Sequence, residues 1–247
     1  MPAPYRIVPP IGSRATLGLI ALRSDETIEH DYQRFFQAAD IAAYVTRIPS
    51  APEVTDETLR QMEADLPGAA GLLPPSVSFD VVGYGCTSGS TLIGPDRVAE
   101  LVKGSTDTTE VANPLTAAIA AFKALGVGPI GLVSPYVEDV SEALRVAFKD
   151  AGHPSPAFLS FDEKEEAKVA RIDPQSIFDA AVSVGKASNV DAVFLSCTNL
   201  RTLDIIAAAE AEIGKPVVSS NQALFWHMAK LAGVEIRQLP FGRLMRA

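Results

Sequence analysis

Only two cysteines occur in the 247 residues, and each opens a Cys-Thr pair, Cys86-Thr87 and Cys197-Thr198. They lie in DVVGYGCTSGSTL (80–92) and DAVFLSCTNLRTL (191–203). These segments agree at Asp80/Asp191, Val82/Val193, Cys86/Cys197, Thr87/Thr198, Thr91/Thr202 and Leu92/Leu203, always 111 residues apart. A free thiol is mostly protonated at pH 7, and a helix amino terminus beneath it can lower its pKa. Both cysteines are expected to precede helices, and Thr87, Ser88, Thr198 and Asn199 bring hydrogen-bond donors to the same place. Two thiols on opposite faces of one small molecule can exchange its proton: one thiolate removes an α-proton and the other thiol returns one. A thiolate can instead add to an activated double bond. The bland alternative is inert packing, the usual fate of a buried cysteine, but duplication at equivalent places weighs against it. A disulfide is disfavoured in a reducing compartment.

Other chemistries find little support. His30, His153 and His227 have no ligand spacing to either cysteine, so no metal is expected. Gly83, Gly85 and Gly89 do not form GxGxxG, and no GKS or GKT follows, so no nucleotide cofactor is expected either. These glycines read as room for backbone near a small ligand. No GxSxG elbow occurs. A formal net charge of −9 argues against a nucleic-acid partner. No run approaches the roughly 20 apolar residues of a membrane span. The amino terminus, with four prolines in 1–24, reads as an extended arm and not a signal peptide. The expected location is the cytoplasm.

The elements that must carry the thiols alternate. Apolar runs at 17–22, 41–48, up to Cys86, 108–112, 130–135, 158–161, 192–196 and 216–219 read as strands. Helices are expected at about 27–39, 55–66, 94–103, from the Asn113-Pro114 start to Gly126, 140–151, 174–188, 203–213 and from an Asn221 cap to 231. The run 162–168 is a loop or a helix start. IGLVSP (130–135) repeats LGLIAL (17–22) at an offset of 113. Alternation occurring twice predicts an α/β fold of two pseudo-symmetric, doubly wound parallel-sheet lobes, with the site in the cleft between them. One lobe spans 1–112 plus 220–247 and carries Cys86; the other spans 113–219 and carries Cys197.

With its paired Cys-Thr loops, the chain resembles the Asp/Glu racemase superfamily over nearly its whole length. Within it, the chain is most similar to the branch of maleate cis-trans isomerases and arylmalonate decarboxylases. LGLIALRSDETIEHDY (17–32) resembles that branch's first strand and turn, IGLVSPYVEDV (130–140) its TPY segment, and KPVVSSNQALFW (215–226) its last strand and helix. The resemblance implies catalytic thiols at Cys86 and Cys197, and oxyanion or carboxylate contacts at Tyr136, Thr87 and Thr198. It also implies no cofactor or metal, and a homodimer. Arylmalonate decarboxylases keep only the second cysteine, so two here disfavour decarboxylation.

Maleate isomerases carry Asn where this chain has Asp25 and, in a loose alignment, near Glu166. An Asp repels a dicarboxylate unless protonated, and attracts an ammonium or amidine. Asp25 thus reads as a substrate contact, as the acid that accompanies the first cysteine in amino-acid racemases, or as a helix cap. Glu166 reads as a solvated charge. SDETIEHDY (24–32) is also similar to the racemase-like ectoine-utilisation protein A group, which handles N-acetylated diamino acids. The expected function is a cofactor-independent racemase or epimerase of a small amino-acid-like carboxylate, with ectoine or hydroxyectoine degradation as the setting that the last resemblance implies. The alternatives are a maleate cis-trans isomerase and a non-catalytic small-molecule binding protein.

Overall fold

A computed structural model describes residues 2–247, apart from the Asp56 side chain; Met1, the first residue of the expected arm, lies outside the described residues. Residues 2–12 form no regular element, and Tyr5, Ile7, Val8 and Ile11 stand in solvent. The elements then run β1 (Ala15–Leu22), α1 (Ile28–Phe35), β2 (Ile41–Ile48), α2 (Asp56–Ala70), β3 (Phe79–Gly85), α3 (Thr87–Ile93), α4 (Pro95–Lys103), β4 (Thr108–Ala112) and α5 (Pro114–Leu125). The second series runs β5 (Ile130–Tyr136), α6 (Glu138–Asp150), β6 (Ala157–Glu163), α7 (Glu166–Val169), α8 (Pro174–Gly185), β7 (Ala192–Leu195), α9 (Leu203–Ile213), β8 (Val217–Ser219) and α10 (Ser220–Leu231). A 3-10 turn, Arg243–Arg246, closes the chain.

The strands form two four-stranded sheets, ordered β2-β1-β3-β4 and β6-β5-β7-β8. Every pairing is parallel. Each sheet changes winding direction between its two central strands, which is where an open α/β sheet offers a crevice. β3 ends at Gly85, just before Cys86, beside the end of β1, and β7 ends near Cys197 beside the end of β5, so both thiols sit at a switch point. The central strands read as unbroken apolar runs because helices cover both faces.

α5 shows how local sequence fixes an element. The Asn113 side chain accepts the Thr116 N–H at 3.0 Å, Pro114 fills the first helical position, and Gly126 closes the helix at φ 65°. α10 follows the last strand of the second sheet but lies on the first: a Cβ at Gly83 of β3 would come within 2.6 Å of the Met228 sulfur. One apolar core therefore runs from β1 through α1, α5 and α10 to β5 and β7.

Several elements differ from the sequence reading, while the charged run 162–168 takes the second of its two readings. α1 stops at Phe35, not near residue 39, because Phe35 and Phe36 both turn in against Phe225, at ring distances of 5.3 and 6.2 Å. Residues 87–93 form α3, where only a loop was expected. The charged run does open a short helix, α7. α10 is capped by Ser219, paired reciprocally with Gln222; Asn221 is inside the helix and its side chain serves elsewhere.

Candidate active site

Cys86 is the amino-terminal cap of α3. Its backbone is extended, its carbonyl accepts from the Ser90 N–H and hydroxyl, and its sulfur accepts the Gly89 N–H at 3.2 Å. Gly89 must lack a side chain: a Cβ there would lie 2.6 Å from the Tyr84 hydroxyl and 3.0 Å from the Cys86 sulfur. At Gly83 and Gly85 the space is filled by Met228 and Ile28, so these glycines make room for core side chains and not for ligand. Thr87 donates its hydroxyl to Ser220 Oγ at 2.9 Å, and Ser220 Oγ accepts the Cys197 N–H at 3.0 Å. One serine of α10 thus ties the two cysteine loops together.

Cys197 sits differently. Both cysteines precede helices as expected, but α3 follows Cys86 directly whereas α9 begins only at Leu203, so no helix amino terminus lies directly after Cys197. Cys197 adopts φ 106°, a conformation that costs a side-chain-bearing residue about 1–3 kcal/mol. It is held there by Ser220 at its N–H, and by the Asn199 N–H and Tyr136 hydroxyl at its sulfur, 3.3 and 3.0 Å away. A glycine would relieve the strain but bring no thiol.

Tyr136, the last residue of β5, reaches Glu166 Oε1 at 2.6 Å. Asn199 Nδ2 donates to Glu166 Oε2 at 2.8 Å, and Asn199 Oδ1 accepts the Glu26 N–H at 2.8 Å. Glu166 is only 2% exposed. The reading of it as a solvated charge is therefore corrected: the stretch 52–54 leads into an antiparallel bridge, Glu53 to Glu165, and the Glu166 N–H donates to the Pro52 carbonyl. Contact from the other lobe buries what the local sequence leaves outside. The loose alignment with Asn in maleate isomerases was the one signal for this position.

Asp25 is behind the site. Its Oδ1 accepts the Thr27 and Ile28 N–H groups, both at 2.8 Å, and its Oδ2 accepts the Thr198 hydroxyl at 2.8 Å. It caps α1 and orients Thr198, and it does not line the cavity. Asn199, also expected at the substrate, likewise braces from outside. The residues that converge on one cavity are Cys86, Thr87 and Ser88 from the first lobe and Tyr136, Glu166, Cys197 and Thr198 from the second, roofed by Leu22, Val54 and Leu59.

The free space at its centre is about 20 Å³, room for a single water molecule. Both cysteines are free thiols, 5% and 4% exposed. Burial pushes the Cys86 thiol up to about 12, more than the Gly89 N–H lowers it. Burial, then the charge of Glu166, pushes Cys197 well up, and burial raises Glu166 and Asp25 as well. The helix terminus is therefore not what would set a thiolate here. No Lys, Arg or His lines this cavity. Among the described residues, no group of three or more His, Cys, Asp or Glu is placed to hold a metal, and no helix is long and apolar enough to cross a membrane.

Comparison with known proteins gives a consistent picture. The family model described as arylmalonate decarboxylase matches residues 64–245. The arylmalonate decarboxylase of Bordetella bronchiseptica is 34% identical over 52% of this chain and 55% of its own, so the aligned stretch spans about half of that enzyme. A maleate isomerase of Pseudomonas putida is 29% identical over 74% of this chain and 76% of its own. The crystal structure of the maleate isomerase from Pseudomonas putida S16 superimposes with a TM-score of 0.84 at 23% identity, covering 94% of this chain and 98% of that one. An arylmalonate decarboxylase structure gives 0.75 at 26% identity, over 94% and 99%. A cysteine-to-serine variant of the Nocardia farcinica maleate cis-trans isomerase, 23% identical over 94% and 98% with a TM-score of 0.81, holds a covalently bound succinylcysteine intermediate.

Proposed function

Because this chain belongs to the arylmalonate decarboxylase family, in the branch of the Asp/Glu racemase superfamily that also holds maleate isomerases, we propose that it is a cofactor-independent isomerase. It moves a proton at the carbon beside the carboxylate of a small, amino-acid-like acid. The observation that carries this reading is that two free thiols, one from each sheet, reach the same cavity. One sulfur takes the α-proton, and the other returns a proton to the opposite face. A donor for the carboxylate and the enolate-like intermediate is the Ser88 hydroxyl, which lines the cavity and has no protein partner among the described residues. The single negative charge shared by Glu166 and Cys197 through Tyr136 favours a substrate with an ammonium group over one with a second carboxylate.

A second reading, cis-trans isomerisation of a maleate-like acid by thiolate addition, rotation and elimination, draws on the maleate isomerase relatives and on the succinylcysteine seen in the Nocardia protein. One experiment separates the two. The protein is incubated in deuterium oxide with a panel of single-enantiomer amino acids, N-acetylated diamino acids of the ectoine type, and maleate. Proton exchange predicts deuterium at the α-carbon of the turned-over acid. The addition route predicts fumarate from maleate with no deuterium retained. Turnover that survives replacement of both cysteines by serine would remove both, and ligand binding without any turnover would leave a binding protein. The proposal extends to a homodimer in the cytoplasm, the former checked by sedimentation.

A further inference from the structure

The two thiols share a cavity, but only one is wired to a carboxylate. Tyr136 Oη lies 3.0 Å from Cys197 Sγ and 2.6 Å from Glu166 Oε1. A phenol has one proton and two neighbours here, so it faces one way or the other. Either it donates to an anionic Glu166 and accepts the Cys197 S–H, or it donates to a Cys197 thiolate and accepts from a protonated Glu166. Both arrangements contain the same number of protons.

We propose that Glu166 stores the proton of Cys197, delivered through Tyr136, so that Cys197 is the charged thiol of the resting site and Cys86 the neutral one. The step balances within the protein. The S–H bond of Cys197 breaks as its proton passes to Tyr136 Oη, and the phenol's own proton passes to Glu166 Oε1. One negative charge moves from carboxylate to sulfur, and no phenolate accumulates.

The surroundings accept both forms. Asn199 Nδ2 donates to Glu166 Oε2, the oxygen that carries no relay proton, so that bond survives the shift. The Asn199 backbone N–H faces the Cys197 sulfur at 3.3 Å and gives a thiolate its second donor beside Tyr136. All four residues are buried. Burial raises the Glu166 carboxyl, which readies it to hold a proton; it raises the Cys197 thiol as well, and the Tyr136 hydroxyl and Asn199 N–H act the other way on the sulfur. While Glu166 is ionised its charge opposes a thiolate at Cys197; once it holds the proton, that opposition is gone.

The remaining groups that face this corner are Asp25, behind Thr198, and Cys86 across the cavity, and the Asp25 charge also acts against a thiolate. Among the described residues no carboxylate is hydrogen-bonded to the Cys86 sulfur, which takes the Gly89 N–H and lies beside the Tyr84 hydroxyl. Glu166 acts on Cys197 through Tyr136, as a positioning and proton-holding residue.

This inference assigns roles within the two-thiol reading, and its test needs no substrate, so the two can fail separately. The rate of alkylation of each cysteine by iodoacetamide is followed from pH 5 to pH 10 by peptide mass spectrometry. Both thiols open onto one cavity, so reagent access is common to both and the ratio of rates reports thiolate content. In the wild-type protein Cys197 should react at least 10-fold faster than Cys86 at pH 7. Glu166→Gln mimics the protonated carboxyl, so it should keep that excess and leave both profiles in place. Tyr136→Phe removes the thiolate's donor and breaks the relay, so it should abolish the excess and move the Cys197 profile up by at least one pH unit. A wild-type Cys86 as reactive as Cys197 overturns the proposal without any variant, as does a Cys197 that reacts faster in a folded Glu166→Gln protein than in wild type, because an ionised carboxylate then stood beside the thiol. Loss of the excess in Glu166→Gln would overturn it too, since a neutral neighbour then fails to sustain the thiolate.

Discussion

At the residue scale, the acids of this protein are placed by what they hold and not by what surrounds them in sequence. Asp25 is spent on two backbone N–H groups and on Thr198, so its role is to aim a threonine. Asp31, one turn into α1, is buried with Asn221 Nδ2 at 2.9 Å and the Arg34 guanidinium 3.9 Å away. Burial outweighs both and pushes its carboxyl up to about 7. A carboxyl raised in the folded state favours folding below its unfolded value near 4, and that advantage is lost as pH climbs to about 7. The penalty of keeping it ionised above that is roughly 3–5 kcal/mol. Asp31→Asn keeps an acceptor for Asn221 and removes the charge. Its urea-unfolding stability should match wild type at pH 4, rise above it between pH 4 and 7, and hold a constant lead above pH 7.5. A difference that stays flat across that range would mean Asp31 is not ionised against a burial cost.

At the element scale, the site is closed by a strap. The stretch 50–54, between β2 and α2, crosses to the second lobe: Pro52 accepts the Glu166 N–H at 3.0 Å, and Glu53 bridges Glu165. Val54 and Leu59 then roof a cavity with room for one water, so a substrate enters only when the strap lifts. Bridged antiparallel residues have Cα atoms about 4.5–5.5 Å apart, within disulfide range. Oxidised Glu53→Cys/Glu165→Cys should lose turnover and thiol alkylation by 10-fold or more and regain both on reduction. Full alkylation in the oxidised form would show another way in.

The strap also marks where sequence stops being informative. The bounds of β2, β4, α5 and α9 follow from apolar runs and from the Asn113, Pro114 and Gly126 signals, all local. The Cys-Thr repeat located both thiols by duplication alone. TSGSTLI has poor intrinsic helix propensity, and α3 exists because the Cys86 carbonyl and sulfur take up its first donors. Glu166 lies in DEKEEAK, which reads as solvated until 52–54 packs over it. Leu22, Val54, Leu59 and Ser220 reach the site only through tertiary packing, for which a single sequence has no local signal.

At the scale of the whole molecule, the question is whether two lobes divided as 1–112 plus 220–247 and 113–219 behave as two units. Hydrogen bonds between the carboxyl edges argue that they do not. Thr27 donates to the Asn199 carbonyl, the Glu26 N–H to the Asn199 side chain, Thr198 to Asp25, and the Cys197 N–H to Ser220. Asn221 sits between them, giving its amide to both Asp31 and the Thr198 carbonyl. Opening the cleft would strand these buried groups together, at about 1–3 kcal/mol for each one left unpaired. Asn221→Ala strands two acceptors and should cost about 2–4 kcal/mol, with a further rise in the pKa of Asp31. It should not split the transition. Trp226, the single tryptophan, lies on the helix shared by both sheets, so its fluorescence should melt in urea together with far-ultraviolet circular dichroism, in the wild-type protein and the variant alike. A tryptophan transition separate from the circular-dichroism one would show lobes that unfold apart. The opposed thiols would then depend on the strap, and not on the shared core, to stay facing each other.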